Sequence, residues 1–275
     1  MRTFFYLFAL CLVFNSCQSG GDSTEAAGEE STPATEEKAA AADTGNKKYT
    51  LTPFSPSQAY PDAMIMGMTY QDGRFDFDVK GEAYQLGAQT PDAGQKSCAN
   101  SAKGQHIHLI VDDQPYAAKY EASFEHDVAD GDHYILAFLS RSYHESIKTN
   151  AASRVRKVTV ANKSIAEETT VEGTPLLFYS RPKGTYKGKA NTDKVMLDFF
   201  VYNATLGDDV MVKADINGEE HIITQWQPYY IEGLPMGENT ITLTLADKSG
   251  QTIETPLNPV TRTFTLAVDE AEVSN

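Results

Sequence analysis

The sequence predicts an all-β protein: two tandem immunoglobulin-like β-sandwich modules behind a signal peptide and a disordered linker. Three observations carry this reading. From Tyr49 onward, short β-branched and aromatic runs alternate with Gly, Pro, Asn and Asp turns, and no amphipathic helix longer than about two turns is written anywhere. FDFDVKGEAYQLG at 75–87 matches VMLDFFVYNATLG at 195–207 without a gap, and later hairpins follow each copy in the same order. What lies beyond Tyr49, about 225 residues, suits two domains of ordinary size. The boundaries fall at 50–165 and 166–275. No Cys-Trp-Cys pattern marks the antibody subclass, and one larger sandwich or jelly roll is the alternative.

The chain opens with Met1-Arg2, runs apolar from Phe4 to Phe14 and reaches Asn15-Ser16-Cys17. A charged start, an apolar stretch too short to span a bilayer and a small-residue site read as a signal peptide over 1–16. The ending Phe-Asn-Ser-Cys resembles a bacterial lipobox, so Cys17 is the expected lipidation site. That implies a cell-envelope protein held to a membrane, outer or cytoplasmic, by its lipid. The outer membrane is the expected address, and two or more acyl chains are needed for stable anchoring.

Residues 17–49 form an acidic linker rich in Ser, Thr, Ala, Gly and Glu, with too little apolar area to offset the entropy of ordering. The net charge is −15, and loss of residues 1–16 removes Arg2 and no acid, leaving −16. Such a surface excludes nucleic acid as a partner. Cys11 leaves with the signal and Cys17 takes the lipid, so Cys98 has no disulfide partner and is either a buried inert thiol or an oxidisable one.

The repeat sets expectations for which side chains face inward. In 210–216 the residues Val210, Val212, Ala214 and Ile216 share a face, and in 241–245 Ile241, Leu243 and Leu245 do. Aligning IVDDQPY (110–116) with ADINGEE (214–220) sets His106, His108, Ile110 and Asp112 against the first group. Ile135, Ala137 and Leu139, with His133 just before them, match the second. The opposite parity, Ile107, Leu109 and Val111 with Tyr134, Leu136 and Phe138, is also apolar, which implies that the outer face is covered by the second module or a partner. The rival arrangement swaps the faces of the first strand and leaves His106 and His108 exposed.

A His-x-His pair on a strand sets two imidazoles on one face about 7 Å apart. His106 and His108 are therefore candidate ligands of one metal, zinc or copper, with His133 as the third and His144 or Cys98 as further possibilities. The competing reading is a set of hydrogen-bonded structural histidines paired with Asp112, Asp113, Asp132 or Glu145. The loop SRSYHES gives Arg141, His144, Glu145 and Lys148 as a candidate ligand-binding group, a basic focus suited to an anionic group. Its serines lie too close in sequence to His144 and Glu145 for a nucleophile, base and orienter arrangement, and no Gly-x-Ser-x-Gly elbow exists, so no catalytic residue is expected.

GQHIHLIVDDQPY followed by HYILAFLSRSYHESIK resembles a group of uncharacterised bacterial lipoproteins that share the His-x-His strand, a Pro-Tyr turn and this loop. PLLFYSRPKGTY and PYYIEGLPMGE in the second half resemble the same group. Some members are labelled phosphopeptide-binding. The resemblance implies a lipid-anchored envelope protein and draws attention to His106, His108, Arg141, His144 and Glu145.

Two further landmarks are Trp226 with Tyr229 and Tyr230, either a ligand platform or a sandwich corner, and Met64, Met66 and Met68, which period two would put on one face. The expected function is a non-enzymatic envelope module that binds an envelope protein, a peptide or an anionic ligand at the His/Arg end of the first sandwich. The alternative is a metal-binding protein using His106, His108 and His133.

Overall fold

The first strand among the described residues does not belong to the sandwich that follows it. In the computed structural model, which describes residues 47–207 and 209–269, β1 (Thr50–Pro53) pairs antiparallel with a strand at 229–232 in the second half. The reason lies in Tyr49, which is buried in the second core, and in Glu219, whose carboxylate accepts the N–H groups of Lys48 and Tyr49. The expected linker end at 49 and module start at 50 are corrected accordingly. Residues 1–16, Cys17 and most of the linker lie outside the described residues.

The first sandwich follows. β2 (Met64–Gln71), β3 (Arg74–Lys80) and β6 (Ser123–Glu125) form one sheet. The other runs in the order β5-β4-β7-β8-β9, built from β4 (His106–Val111), β5 (Ala117–Lys119), β7 (Gly131–Ser140), β8 (Ser153–Ala161) and β9 (Ser164–Thr169). β9 carries this sandwich to 169, past the expected boundary at 165. Asp72-Gly73 and Asn162-Lys163 close two of its hairpins with positive φ at both turn residues, the geometry whose twist matches the flanking strands. Alternation decides the inward set: Phe75 and Phe77 enter the core while Asp76 and Asp78 stay outside. A bulge between Ile65 and Gly67 breaks the methionine stripe, leaving Met66 56% exposed while Met68 packs on the core.

In the second sandwich, β1 joins β15 (Tyr229–Glu232), β12 (Lys194–Tyr202) and β10 (Leu176–Arg181) in one sheet. The facing sheet runs β11-β17-β16-β13-β14, from β11 (Gly184–Lys187), β13 (Val210–Ile216), β14 (Glu219–Ile223), β16 (Gly237–Asp247) and β17 (Val260–Ala267). Val195, Leu197 and Phe199 enter this core as Phe75 and Phe77 enter the first, so the 75–87 and 195–207 copies share their inward parity.

The parity of β4 is corrected by one residue. Ile107 and Leu109 pair with Leu139 and Ala137 and enter the first core, so His106, His108 and Ile110 face outward. Val212 and Ala214 pair with Leu245 and Leu243 in the second copy, and the positive-φ residue after each strand is Asp112 in one and Asn217 in the other. The two strands therefore superpose with Val111 on Ile216, and the expected alignment had slipped by one, which moves every side chain to the other face. β7 keeps the expected parity.

The outward face is covered. Ile110, Leu136 and Phe138 pack with Leu176, Phe178 and Phe200 of the second sandwich, and the Phe138 and Phe200 rings stack with centroids 5.7 Å apart. The two sandwiches therefore join through a third apolar cluster, and the outward histidines lie at its edge.

Candidate metal centre

Three histidines meet at the edge of that junction. His106 and His108 come from consecutive outward positions of β4, and both are 0% exposed. His144 comes from the loop between β7 and the turn before β8. That loop is pinned on all sides. Ser140 bridges to Ser146, Arg141 N–H donates to the Glu145 carbonyl, and His144 N–H donates to the Arg141 carbonyl. Ser142 trades bonds with Thr90, and Tyr143 is fully buried beneath Phe54 with its hydroxyl on Asp92. From the second sandwich, Asp198 accepts the Ser146 N–H at 3.1 Å and pairs with Lys148 at 2.5 Å. His144 itself sits at φ +68°, a left-handed conformation that a non-glycine residue holds only when its surroundings fix it.

The ring nitrogens converge. His106 Nε2 lies 2.9 Å from His108 Nε2 and 3.0 Å from His144 Nδ1, and the last two are 3.4 Å apart. His106 Nδ1 is 2.7 Å from the Gly104 carbonyl, which can only accept, so the His106 proton sits on Nδ1 and its Nε2 presents a lone pair. Gly104 is required there: it sits at φ +82°, and a Cβ would come 2.3 Å from the Gly87 carbonyl oxygen. His108 Nδ1 faces Ser180 Oγ of β10 at 3.4 Å. Tyr116 stacks on His108, with centroids 3.7 Å apart and planes 7° from parallel, and Tyr120 leans on His106.

Hydrogen bonds among these rings cannot satisfy all three. The single lone pair of His106 Nε2 accepts one proton, from His108 or from His144, and whichever does not donate turns its own lone pair on His106 at about 3 Å. A cation at the common point resolves both contacts. Four-coordinate zinc with metal–nitrogen bonds of about 2.0–2.1 Å separates its ligand atoms by about 3.3–3.4 Å, the spacing of His108 Nε2 and His144 Nδ1, and the two shorter contacts of His106 need open by only about 0.4 Å. Burial holds all three imidazoles in the neutral form that ligates. It draws His106 down to about 4, against the Gly104 bond and with help from the Arg181 charge. It draws His108 well below its ordinary value, helped by the neighbouring imidazoles and Arg181, and draws His144 far down with Arg181 beside it.

His133 is not part of this centre, which corrects the expected set of His106, His108 and His133. Its Nδ1 bonds Asp112 at 2.7 Å and its Nε2 the Ala129 carbonyl. His106 pairs with Ser140, seven residues along β7 from His133, or roughly 23 Å at 3.3 Å per residue. Of the loop residues expected to bind a ligand, only His144 joins the cluster. Arg141 donates to the carbonyls of Gln58 and Ser146 and faces Glu145 at 3.5 Å, Glu145 accepts from Ser57, and Lys148 pairs with Asp198. Cys98 packs beside Phe54, Tyr143, Met196 and Tyr230, where burial pushes its thiol up to about 11. Trp226 donates to the Phe199 carbonyl and meets Phe200 edge-on, as a sandwich corner does, and borders a cleft of about 940 Å³ that Arg154 and Tyr202 also line.

Three residues at the centre went unnoticed in the sequence: Tyr116, Arg181 and Lys183. Tyr116 is the aromatic of the Pro-Tyr turn and so carried a local signal. Arg181 and Lys183 flank Pro182 in the second half, and only the docking of β10 on β4 brings them near.

No protein-family model matches the chain, and no curated protein matches it. Among solved structures, it is similar to the fibronectin(III)-like modules of Clostridium thermocellum CbhA, at 11% identity over 75% of this chain and 94% of that one, with a TM-score of 0.27. It is similar also to the central fibronectin-III array of RIM-binding protein, at 10% identity over 76% of this chain and 70% of that one, TM-score 0.25. A third likeness is to a 1.5-MDa bacterial ice-binding adhesin, at 12% identity over 71% and 57%, TM-score 0.22.

Proposed function

We propose that this protein binds one transition-metal ion, zinc or copper, through His106 Nε2, His108 Nε2 and His144 Nδ1. One observation carries the reading: three neutral imidazoles direct ring nitrogens at one point, 2.9 to 3.4 Å apart, with too few protons to bond one another. Imidazole donors suit both ions, and the lack of any carboxylate or thiolate among them argues against calcium, magnesium or an iron–sulfur cluster. The role is binding without turnover: Ser140 Oγ donates to the Arg141 carbonyl and Ser142 Oγ accepts the Thr90 N–H, so neither serine is bonded to a general base. The sequence at 1–17 supports a lipid-anchored envelope location, where such a centre would hold or pass on a metal.

The test is metal stoichiometry by elemental mass spectrometry on the full chain after incubation with zinc or copper and dialysis. The expected result is near one ion per chain, lost in His106→Ala, His108→Ala and His144→Ala. A wild-type protein that retains neither ion refutes the reading.

A further inference from the structure

Three imidazoles leave a tetrahedral ion one open position and bring it no negative charge. The surroundings add positive charge. Arg181 is 4% exposed; its Nη1 donates to the Tyr143 carbonyl at 3.3 Å, its Nη2 to Tyr186 Oη at 2.9 Å, and its Nε has no hydrogen-bond partner among the described residues. Lys183 Nζ donates to the Tyr116 carbonyl at 2.7 Å and lies 4.0 Å from the centre of the Tyr116 ring. Among the described residues, neither cation forms an ion pair with a carboxylate. Arg181 is tied to the centre because Ser180 beside it faces His108 and the carbonyl it binds belongs to the residue before His144; Lys183 is tied to it through Tyr116, which stacks on His108. A buried cation such as Arg181 without a counter-charge is costly, and more so beside a divalent ion and a second, half-buried cation.

Tyr116 is not the missing donor. Its ring lies parallel to His108 and 3.7 Å from it, whereas His108 Nε2 presents its lone pair in its own ring plane. An ion about 2 Å from that nitrogen is out of bonding range of the phenol oxygen. The hydroxyl, 3.4 Å from His144 Nδ1, is instead placed to donate to whatever the ion holds in its fourth position. His144 and Lys183 are only partly buried.

We infer that the centre takes a small oxyanion, a carboxylate or phosphate, on the open position of its metal, held by the Tyr116 hydroxyl and balanced in charge by Arg181 and Lys183. This rests on the metal reading and adds a ligand class to it. A metal, a phenol donor and fixed cations together favour an oxyanion over a neutral ligand, because each interaction strengthens with the ligand's charge.

The experiment uses the full chain loaded with cobalt(II), a spectroscopic substitute for zinc, with cobalt content measured on each sample. Inorganic phosphate and, separately, acetate are titrated at constant ionic strength while the visible absorption of cobalt is followed. The expected result is a saturable spectral change with at least one of the two. Tyr116→Phe, which keeps the ring stack, and Lys183→Met, which keeps the stem, each retain one cobalt and weaken that response about tenfold. Full cobalt content with a spectrum indifferent to both anions overturns the proposal and leaves the metal reading standing. So does a response of undiminished affinity in both variants, which would place the anion elsewhere. Failure to take up cobalt overturns both readings.

Discussion

His106 Nε2 lies 2.9 Å from His108 Nε2 although the two rings stand on alternate residues of one strand. Side chains at that spacing start about 7 Å apart, so the rings lean together, and His144 closes the triangle from a loop 36 residues away in sequence.

Removing any one of the three rings should abolish stoichiometric metal, and His133→Ala should leave it intact. At free metal a hundredfold above Kd, binding adds about 2.7 kcal/mol of stability. For a body of this size that raises Tm by about 5–10 °C. Calorimetry with and without zinc checks it. A shift of equal size in His108→Ala would place the ion elsewhere.

Asp198 and Lys148 form an ion pair whose carboxylate is fully buried and also accepts the Ser146 N–H. Asp198→Asn should cost about 3–5 kcal/mol, because it strands the lysine and weakens the seat of the His144 loop. The double variant Asp198→Leu/Lys148→Met should recover much of that loss. Urea unfolding of the wild type, Asp198→Leu, Lys148→Met and the double variant gives the coupling energy directly.

Phe138 lies between His108, at 4.9 Å, and Phe200 of the other sandwich, at 5.7 Å between centroids. Phe138→Ala should cost about 3–5 kcal/mol. The loss should appear on both sides of the junction, as faster amide exchange in β4 and in β10 together. Acceleration confined to β7 and β8 would mean that the two sandwiches are seated by other contacts.

Cys98 should be a slow thiol. Burial raises it from 9.0 to about 11, so near pH 8 its thiolate is about a hundredfold scarcer than that of an unperturbed cysteine. The sign follows from the charged form being the disfavoured one: alkylation should climb with pH toward 11 where a free cysteine levels off above 9. Rates with iodoacetamide, native against urea-unfolded, decide it.

The sandwich class, the inward parity of the paired 75–87 and 195–207 strands and the covered outer face of β7 were legible because a period of two leaves its mark on every residue. The parity of β4 was not, since both faces of HIHLIV are buried and hydrophobicity alone cannot choose between them. The choice lay in the turn that follows, where Asp112 is the counterpart of Asn217. His133 looked like a ligand because it precedes an inward run on a neighbouring strand. Antiparallel pairing sends it to the far end instead, and the His106↔Ser140 register brings in the loop that carries His144. Arg181 lies 73 residues beyond His108, and no local pattern announces a contact made by docking.

The pairing of β1 with β15 changes what a fragment of this protein is. Because the chain lays one strand of the second sandwich before building any of the first, the first is an insertion between two strands of a single parent domain. Cutting near residue 165 would therefore not release two modules. It would strip an edge from one and leave the other with a dangling strand. A pull transmitted through the residues before Thr50 would likewise load the β1–β15 ladder.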